Sequence, residues 1–237
     1  MRKLFNKQLA KRAILELCPS GQVDGVDQIA PFQTICMFLD DNPKSLSWRG
    51  KDSPTIYDIE GLKKLAEKFV NSFSRSDFPV APNTVPDELV SIVMEIGFGY
   101  SKSDCKRIKV EHQHSMGAEN CVGALLERYL DSKLRAKGWA CCYGEYINKI
   151  DFVYQTMDGW YALQIKNRDN SENSSSKAVR DNTDIQKWFR TFSKTGKTNW
   201  DKLPTLMADC GFSECDFIAF TYRYLQREKE KNRLNKG

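Results

Sequence analysis

The sequence has no apolar run near the ~20 residues that a membrane-spanning helix needs. Its longest purely apolar stretches are a few residues, as in Phe217–Ile218–Ala219–Phe220, which excludes an integral membrane protein. The basic start, Met1-Arg2-Lys3-Leu4-Phe5-Asn6-Lys7, has no apolar h-region behind it, so no secretory signal is expected. The eight cysteines are then expected to be reduced thiols of a cytoplasmic protein rather than a disulfide framework. Neither Gly-x-Ser-x-Gly nor His-Glu-x-x-His is present, which argues against the common serine hydrolases and metalloproteases. Gly97-Phe98-Gly99 lacks the Gly-Lys-Ser/Thr of a phosphate loop and reads as a turn. The two histidines, His112 and His114, fit no standard zinc spacing with Cys105, so ordinary core or surface residues are expected there. There is no internal repeat, no low-complexity linker, and no strong excess of one charge.

What is present is a chain of 237 residues, 41% apolar and 11% aromatic. That is too apolar for a disordered chain and long enough for one large domain with a real core. Lys and Arg number 36 against 31 Asp and Glu, a net of +5. Between Lys177 and Lys202 seven basic residues stand against three acidic ones, with Trp188, Phe189, Phe192 and Trp200 interleaved. Such a stretch suits a polyanion partner, and equally a solvated helix with a buried aromatic face.

Periodicity predicts helices over 1–18, over Ile59–Phe73, over Asp87–Ile96 with a stop at Gly97, and over Ala118–Lys137 with a stop at Gly138. The section from Pro19 to Asp58 reads as loop-heavy, and a soft boundary is expected near residue 100. It separates a largely helical N-terminal region (1–100), for dimerisation, for clamping a partner or for buttressing the core, from a core (101–237). Tyr146–Thr156 and Trp160–Asn167 read as two strands of a hairpin closed at Asp158-Gly159. A helix is expected from about Asp184 to Lys194, with Thr183 and Gln186 as its capping box, and a buried strand over Asp216–Tyr222. The order helix, hairpin, helix, strand predicts an α/β fold.

The chemistry-bearing feature is Asp151 at the end of one strand and Gln164-Ile165-Lys166 on the next. Counting back from the turn brings them close, and strand alternation puts Gln164 and Lys166 on one face. A carboxylate beside an amide oxygen and an ammonium suits a divalent metal and a polarised water. On the preceding helix Gly123, Glu127, Leu130 and Leu134 share a stripe, so Glu127 points toward the sheet where Gly123 would permit close approach. The same spacing also suits a surface Asp beside a hairpin with a solvated Lys. Arg168-Asp169-Asn170-Ser171-Glu172-Asn173-Ser174-Ser175-Ser176 is suited by residue type to reading DNA and also to an ordinary surface loop.

The Asp…Gln-x-Lys pattern resembles that of the PD-(D/E)XK nuclease superfamily, a mixed central sheet flanked by helices. The segments GAENCVGALLERYL (117–130), KIDFVYQT (149–156) and WYALQIKNRDNSENSSSKAVRDNTDIQKWFRTFSK (160–194) look like the SinI-type family of type II restriction endonucleases, a resemblance over roughly residues 105–205. It implies a prokaryotic, homodimeric, Mg²⁺-dependent enzyme that cuts both strands of double-stranded DNA at GG(A/T)CC, with a cognate DNA methyltransferase in the same system. Water would attack the phosphate in line and leave a 5′-phosphate. Carried over, Asp151 matches the metal-binding Asp, Lys166 the catalytic Lys and Glu127 the helix acid. Gln164 stands at the usual second acidic position, where an amide offers only its carbonyl to a metal, and Glu119 is a second candidate to compensate. Arg168, Asn170, Ser171, Asn173, Ser174, Lys177 and Arg180 are the expected DNA contacts. A repair or junction nuclease on the same core, or a non-catalytic DNA-binding protein with a degenerate Gln-x-Lys site, are the alternatives.

Overall fold

Capped, periodic apolar segments build the N-terminal helices. In the structure, a computed structural model describing residues 4–48, 51–83, 85, 87–169 and 185–234, α1 (Lys7–Leu17) starts at Asn6, whose side chain accepts from the N–H groups of Gln8 and Leu9. A two-stranded ribbon follows, β1 (Gln22–Val23) and β2 (Val26–Asp27). Next comes α2 (Ile29–Asp41), inside the section read from sequence as loop. It buries Phe32, Ile35, Cys36, Phe38 and Leu39, and Pro31 sits in its first turn, where no intrahelical N–H is lost. The helix escaped the periodicity argument because its apolar residues leave no clear polar face. α3 (Ile59–Ser74) runs as expected, capped by Asp58 and burying Leu62, Leu65, Ala66, Phe69 and Val70.

Two further helices differ from expectation at their ends. α4 (Glu88–Phe98) continues past Gly97 and stops at Gly99, whose φ of +73° is the left-handed conformation that ends helices. α5 (Lys102–Leu134) begins sixteen residues before the expected Ala118 and ends through a short 3-10 turn at Gly138, φ +86°. Its first half is solvated and polar, so no apolar stripe marks it in the sequence.

The central sheet has the order β3 (Ala140–Cys141), β4 (Phe152–Thr156), β5 (Gly159–Arg168), β6 (Gln186–Thr191). The first three are antiparallel and β5–β6 is parallel, a mixed sheet flanked by helices. The hairpin pairs Thr156 with Gly159, so Met157 and Asp158 form its turn. Two element types are corrected. Gln186–Thr191 is a strand rather than a helix, with Trp188 buried against the register partner Ile165. The expected strand at Asp216–Tyr222 belongs to α6 (Glu214–Leu234), where Asp216 N–H bonds the Ser213 hydroxyl and Phe217, Tyr224 and Glu228 are buried at helical spacing. The order is therefore helix, hairpin, strand, helix.

By contacts the chain forms two compact units, each discontinuous in sequence. The first comprises Met1–Arg75 and Glu127–Ile218, the second Ser76–Leu126 and Ala219–Gly237. Residue 100 falls in the link between α4 and α5, within the second unit. In the first unit, strand alternation puts Trp160, Ala162, Gln164 and Lys166 on one face of β5, and Leu163 and Ile165 on the other. α2 covers the Trp160 face, with Phe38 and Trp160 edge-on at 5.4 Å. On the opposite face Trp188 meets Trp200, which also packs against Tyr129 of α5 and Phe217 of α6. All five tryptophans, at positions 48, 139, 160, 188 and 200, belong to this unit.

In the second unit the Val80 carbonyl lies where a Cβ at Gly117 would stand, 2.5 Å from it, so a glycine is required at that contact. The Tyr224 hydroxyl accepts from the Asp77 N–H at 3.0 Å, and Glu228 is paired with Arg227 and Lys231. No helix among the described residues is long and apolar enough to cross a membrane.

Candidate active site

The hairpin register decides which side chains meet. Phe152 pairs with Leu163, so Asp151, one residue before β4, stands level with Gln164. Its N–H donates to the Leu163 carbonyl at 2.9 Å. Its Oδ2 accepts the Ile165 N–H at 2.6 Å, the carboxylate standing in for a ladder carbonyl. Burial raises the Asp151 pKa against the opposing pull of that N–H and of Lys166. The Lys166 ammonium is thus near enough to act on the Asp151 carboxylate, as counting from the turn predicts. Gln164 is buried, at 4% exposure, while Arg168 is exposed at the end of β5.

Cys142 N–H donates to the Asp151 carbonyl at 2.8 Å. Burial pushes the thiols of Cys141 and Cys142 up, the Asp131 carboxylate pushes Cys141 further, and the carboxylates of Glu127 and Asp151 push both. Two acids from separate segments, Glu127 within α5 and Asp151 just before β4, therefore act on the same pair of thiols. Glu119 is exposed and belongs to the second unit. The expected role of Gly123 is not seen, since a Cβ there would meet nothing within 4 Å. Asn170, Ser171, Asn173, Ser174, Lys177 and Arg180 lie outside the described residues, as does Thr183 of the expected capping box.

Among the described residues no three His, Cys, Asp or Glu side chains cluster as a metal cage. Asp151 and Glu127 would offer carboxylates and Gln164 an amide carbonyl, all hard oxygen. That fits Mg²⁺, which takes one or two carboxylates and keeps waters and substrate phosphate for its other positions. Cys105, His112 and His114 form no metal cluster, and all eight cysteines are free. Cys141 is buried, whereas Cys215 is exposed.

Two supporting features carry no clear sequence signal. The loop before Asp151 holds Glu145 and Lys149 at φ +57° and +58°, costly for residues with a Cβ and often found beside functional sites. Ser47 and Asn148 N–H groups tie this loop to the segment after α2. At the same, C-terminal end of β5, Arg190 Nε donates to Asn167 Oδ1 at 2.9 Å, and its guanidinium pairs with Glu214 and lies over the Phe217 ring. Trp200 donates to the same Glu214 carboxylate at 2.7 Å. This network fixes the strand ends next to Lys166 and Arg168. The run QKWFRT over 186–191 carries no period-two alternation, so no sequence signal places Arg190 on a strand.

Compared with known proteins, residues 16–227 match the family described as SinI restriction endonuclease. The chain is 43% identical over 199 residues to the type II restriction enzyme Eco47I of Escherichia coli, covering 82% of this chain and 86% of that enzyme. It is 42% identical over 203 residues to the type II restriction enzyme SinI of Salmonella infantis, covering 84% and 87%. With its mixed sheet, its Asp151–Gln164–Lys166 hairpin and this likeness over most of its length, the chain belongs to the SinI restriction endonuclease family and is a type II site-specific deoxyribonuclease.

Proposed function

We propose that the chain cuts double-stranded DNA at GG(A/T)CC in a Mg²⁺-dependent reaction, as a homodimer. The observation that carries the site is the hairpin register, which sets Asp151 level with Gln164 and brings the Lys166 charge to bear on the Asp151 carboxylate. Asp151 and Glu127 would hold the metal through carboxylate oxygens, and the Gln164 carbonyl would add a neutral donor. Mg²⁺ bound there would offset the charge that develops on the phosphate and polarise a water. Lys166 orients that water and shuttles its proton. Arg168, two residues beyond Lys166 and exposed, reaches a guanine edge or a phosphate, together with residues 170–180. Two identical half-sites call for two active sites related by a two-fold axis. Free thiols suit a reducing cytoplasm, where a cognate methyltransferase would protect the host's own sites.

Purified protein incubated with plasmid and Mg²⁺, followed by sequencing of the fragment ends, tests this reading. Discrete fragments whose ends share GG(A/T)CC are expected, and EDTA should abolish them. Cutting only at branched or damaged DNA would make the chain a structure-specific nuclease instead. Uncut plasmid that still shifts in a gel would leave a DNA-binding protein without chemistry.

A further inference from the structure

We propose that Lys187 of β6 is a second active-site lysine, whose ammonium contacts a DNA phosphate beside the Asp151–Lys166 pair. The inference deepens the nuclease reading above and rests on it. The parallel register pairs Gln164 with Lys187 and Lys166 with Phe189, and paired residues of neighbouring strands project from the same face. Asp151 stands level with Gln164 on its other side. Asp151, Gln164 and Lys187 therefore form one row across three neighbouring segments, about 4.8 Å apart at each step. Lys187 is half-buried, and β6 is an edge of the described sheet. The strand is pinned on both sides of it. Asn199 donates from its backbone to the Arg190 carbonyl at 2.8 Å and from its amide to the Phe189 carbonyl at 3.0 Å, while Arg190 donates to Asn167 of β5. A lysine on a strand held in this way presents its charge at a fixed place.

Charge says what the row takes as its ligand. An acid at position 164 would stand beside Lys187 and be drawn into an ion pair with it. Gln164 brings no charge of its own, so the β5 neighbour leaves the ammonium's field uncancelled. Lys166 stands two residues further along the same face. Asp151, Gln164, Lys166 and Lys187 together carry a net positive charge before any metal binds. Phe189, level with Lys166 and edge-on to Phe192 at 5.0 Å, lines this face with an apolar ring. That ring displaces water and weakens its screening of the two ammonium groups. A phosphodiester is the anion that the enzyme's substrate offers there, and a lysine binds it as a point charge on a four-carbon stem. The glutamine at the usual acidic position and the lysine beside it thus act together. One removes a negative charge from the face and the other adds a positive one.

The salt dependence of duplex binding in Ca²⁺ tests this, run beside single-turnover cleavage in Mg²⁺ on the same preparations. Lys187→Met keeps the stem and removes the charge. Its log affinity for a GG(A/T)CC duplex should fall less steeply with log salt, the slope shrinking by about 0.9 for one lost phosphate contact. Its cleavage rate should fall at least about tenfold, and Lys187→Arg should restore both the slope and most of the rate. Lys187→Gln replaces Lys187→Met if that variant fails to fold. Acetic anhydride footprinting asks the same of the wild type, where the duplex should protect Lys187 from acetylation. A lysine that only blunts the sheet edge would leave slope and rate unchanged, and that result, or an unprotected Lys187, would overturn the proposal. If wild type and variant cut alike, the restriction reading stands and Lys187 leaves the site. If the wild type binds without cutting and the slope still shrinks, the phosphate contact stands and the nuclease reading fails. A wild type that neither binds nor cuts would sink both.

Discussion

Burial disfavours the ionised carboxylate of Asp151, whose pKa is raised in the fold. A group that binds its proton more tightly folded than unfolded weakens the fold above its folded pKa, and the penalty is relieved as pH falls toward the ordinary value of 3.8. Asp151→Asn keeps an oxygen for the Ile165 N–H and removes the charge. Without metal it should therefore raise the melting temperature at pH 7 by a few degrees, measured by calorimetry, while abolishing cleavage. Lys166→Ala should reduce the cleavage rate by about 10²–10⁴-fold and largely spare binding to a GG(A/T)CC duplex in Ca²⁺, read by gel shift. Normal cutting by that variant would remove Lys166 from the site. The nearness of Asp151 to Gln164 and Lys166 is legible in the sequence because a tight hairpin fixes the register from its turn outward. A turn at Asp158-Gly159 would set Asp151 opposite Lys166, however, and the turn at Met157-Asp158 sets it opposite Gln164. The nearness of Cys142, and the two left-handed residues before Asp151, are not legible, because a loop has no period to count.

Among the elements, the strongly periodic helix α3 and strand β5 agree with expectation, β4 is shorter than expected because it starts at Phe152 rather than Tyr146, and the short apolar runs differ. Gln186–Thr191 and Asp216–Tyr222 are each of a length and composition that either a strand or a helix can use. Tertiary context decides them. β6 is a strand because Trp188 fills the face of Ile165 and its indole N–H reaches the Asn199 carbonyl at 3.0 Å. α6 is a helix because Ser213 caps it and Arg190 grips Glu214 in its first turn. Trp188→Ala should cost about 3–5 kcal/mol, seen as a lower urea midpoint by circular dichroism. A cost under about 1 kcal/mol would mean that β6 is not anchored there.

For the whole molecule, buried carboxylates of the two units shift in opposite directions. In the second, burial would raise the Glu228 pKa, but the Ser76 hydroxyl, Lys231 and Arg227 together hold it below 4.5. That stabilisation is present above pH 4.5 and is lost as pH falls through the lower folded value. In the first unit burial raises Asp131 as well as Asp151, so their protonation favours the fold over the same range. Between about pH 4.5 and 3, hydrogen exchange should open amides of 76–126 and 219–234 before those of the sheet. The reverse order would discount Glu228 as a clasp. Because every tryptophan lies in the first unit, intrinsic emission is a one-sided witness. A fluorescence melt would look complete and cooperative whatever α4 was doing, and a dye or an added tryptophan in the second unit is needed before an optical trace can speak for the entire chain.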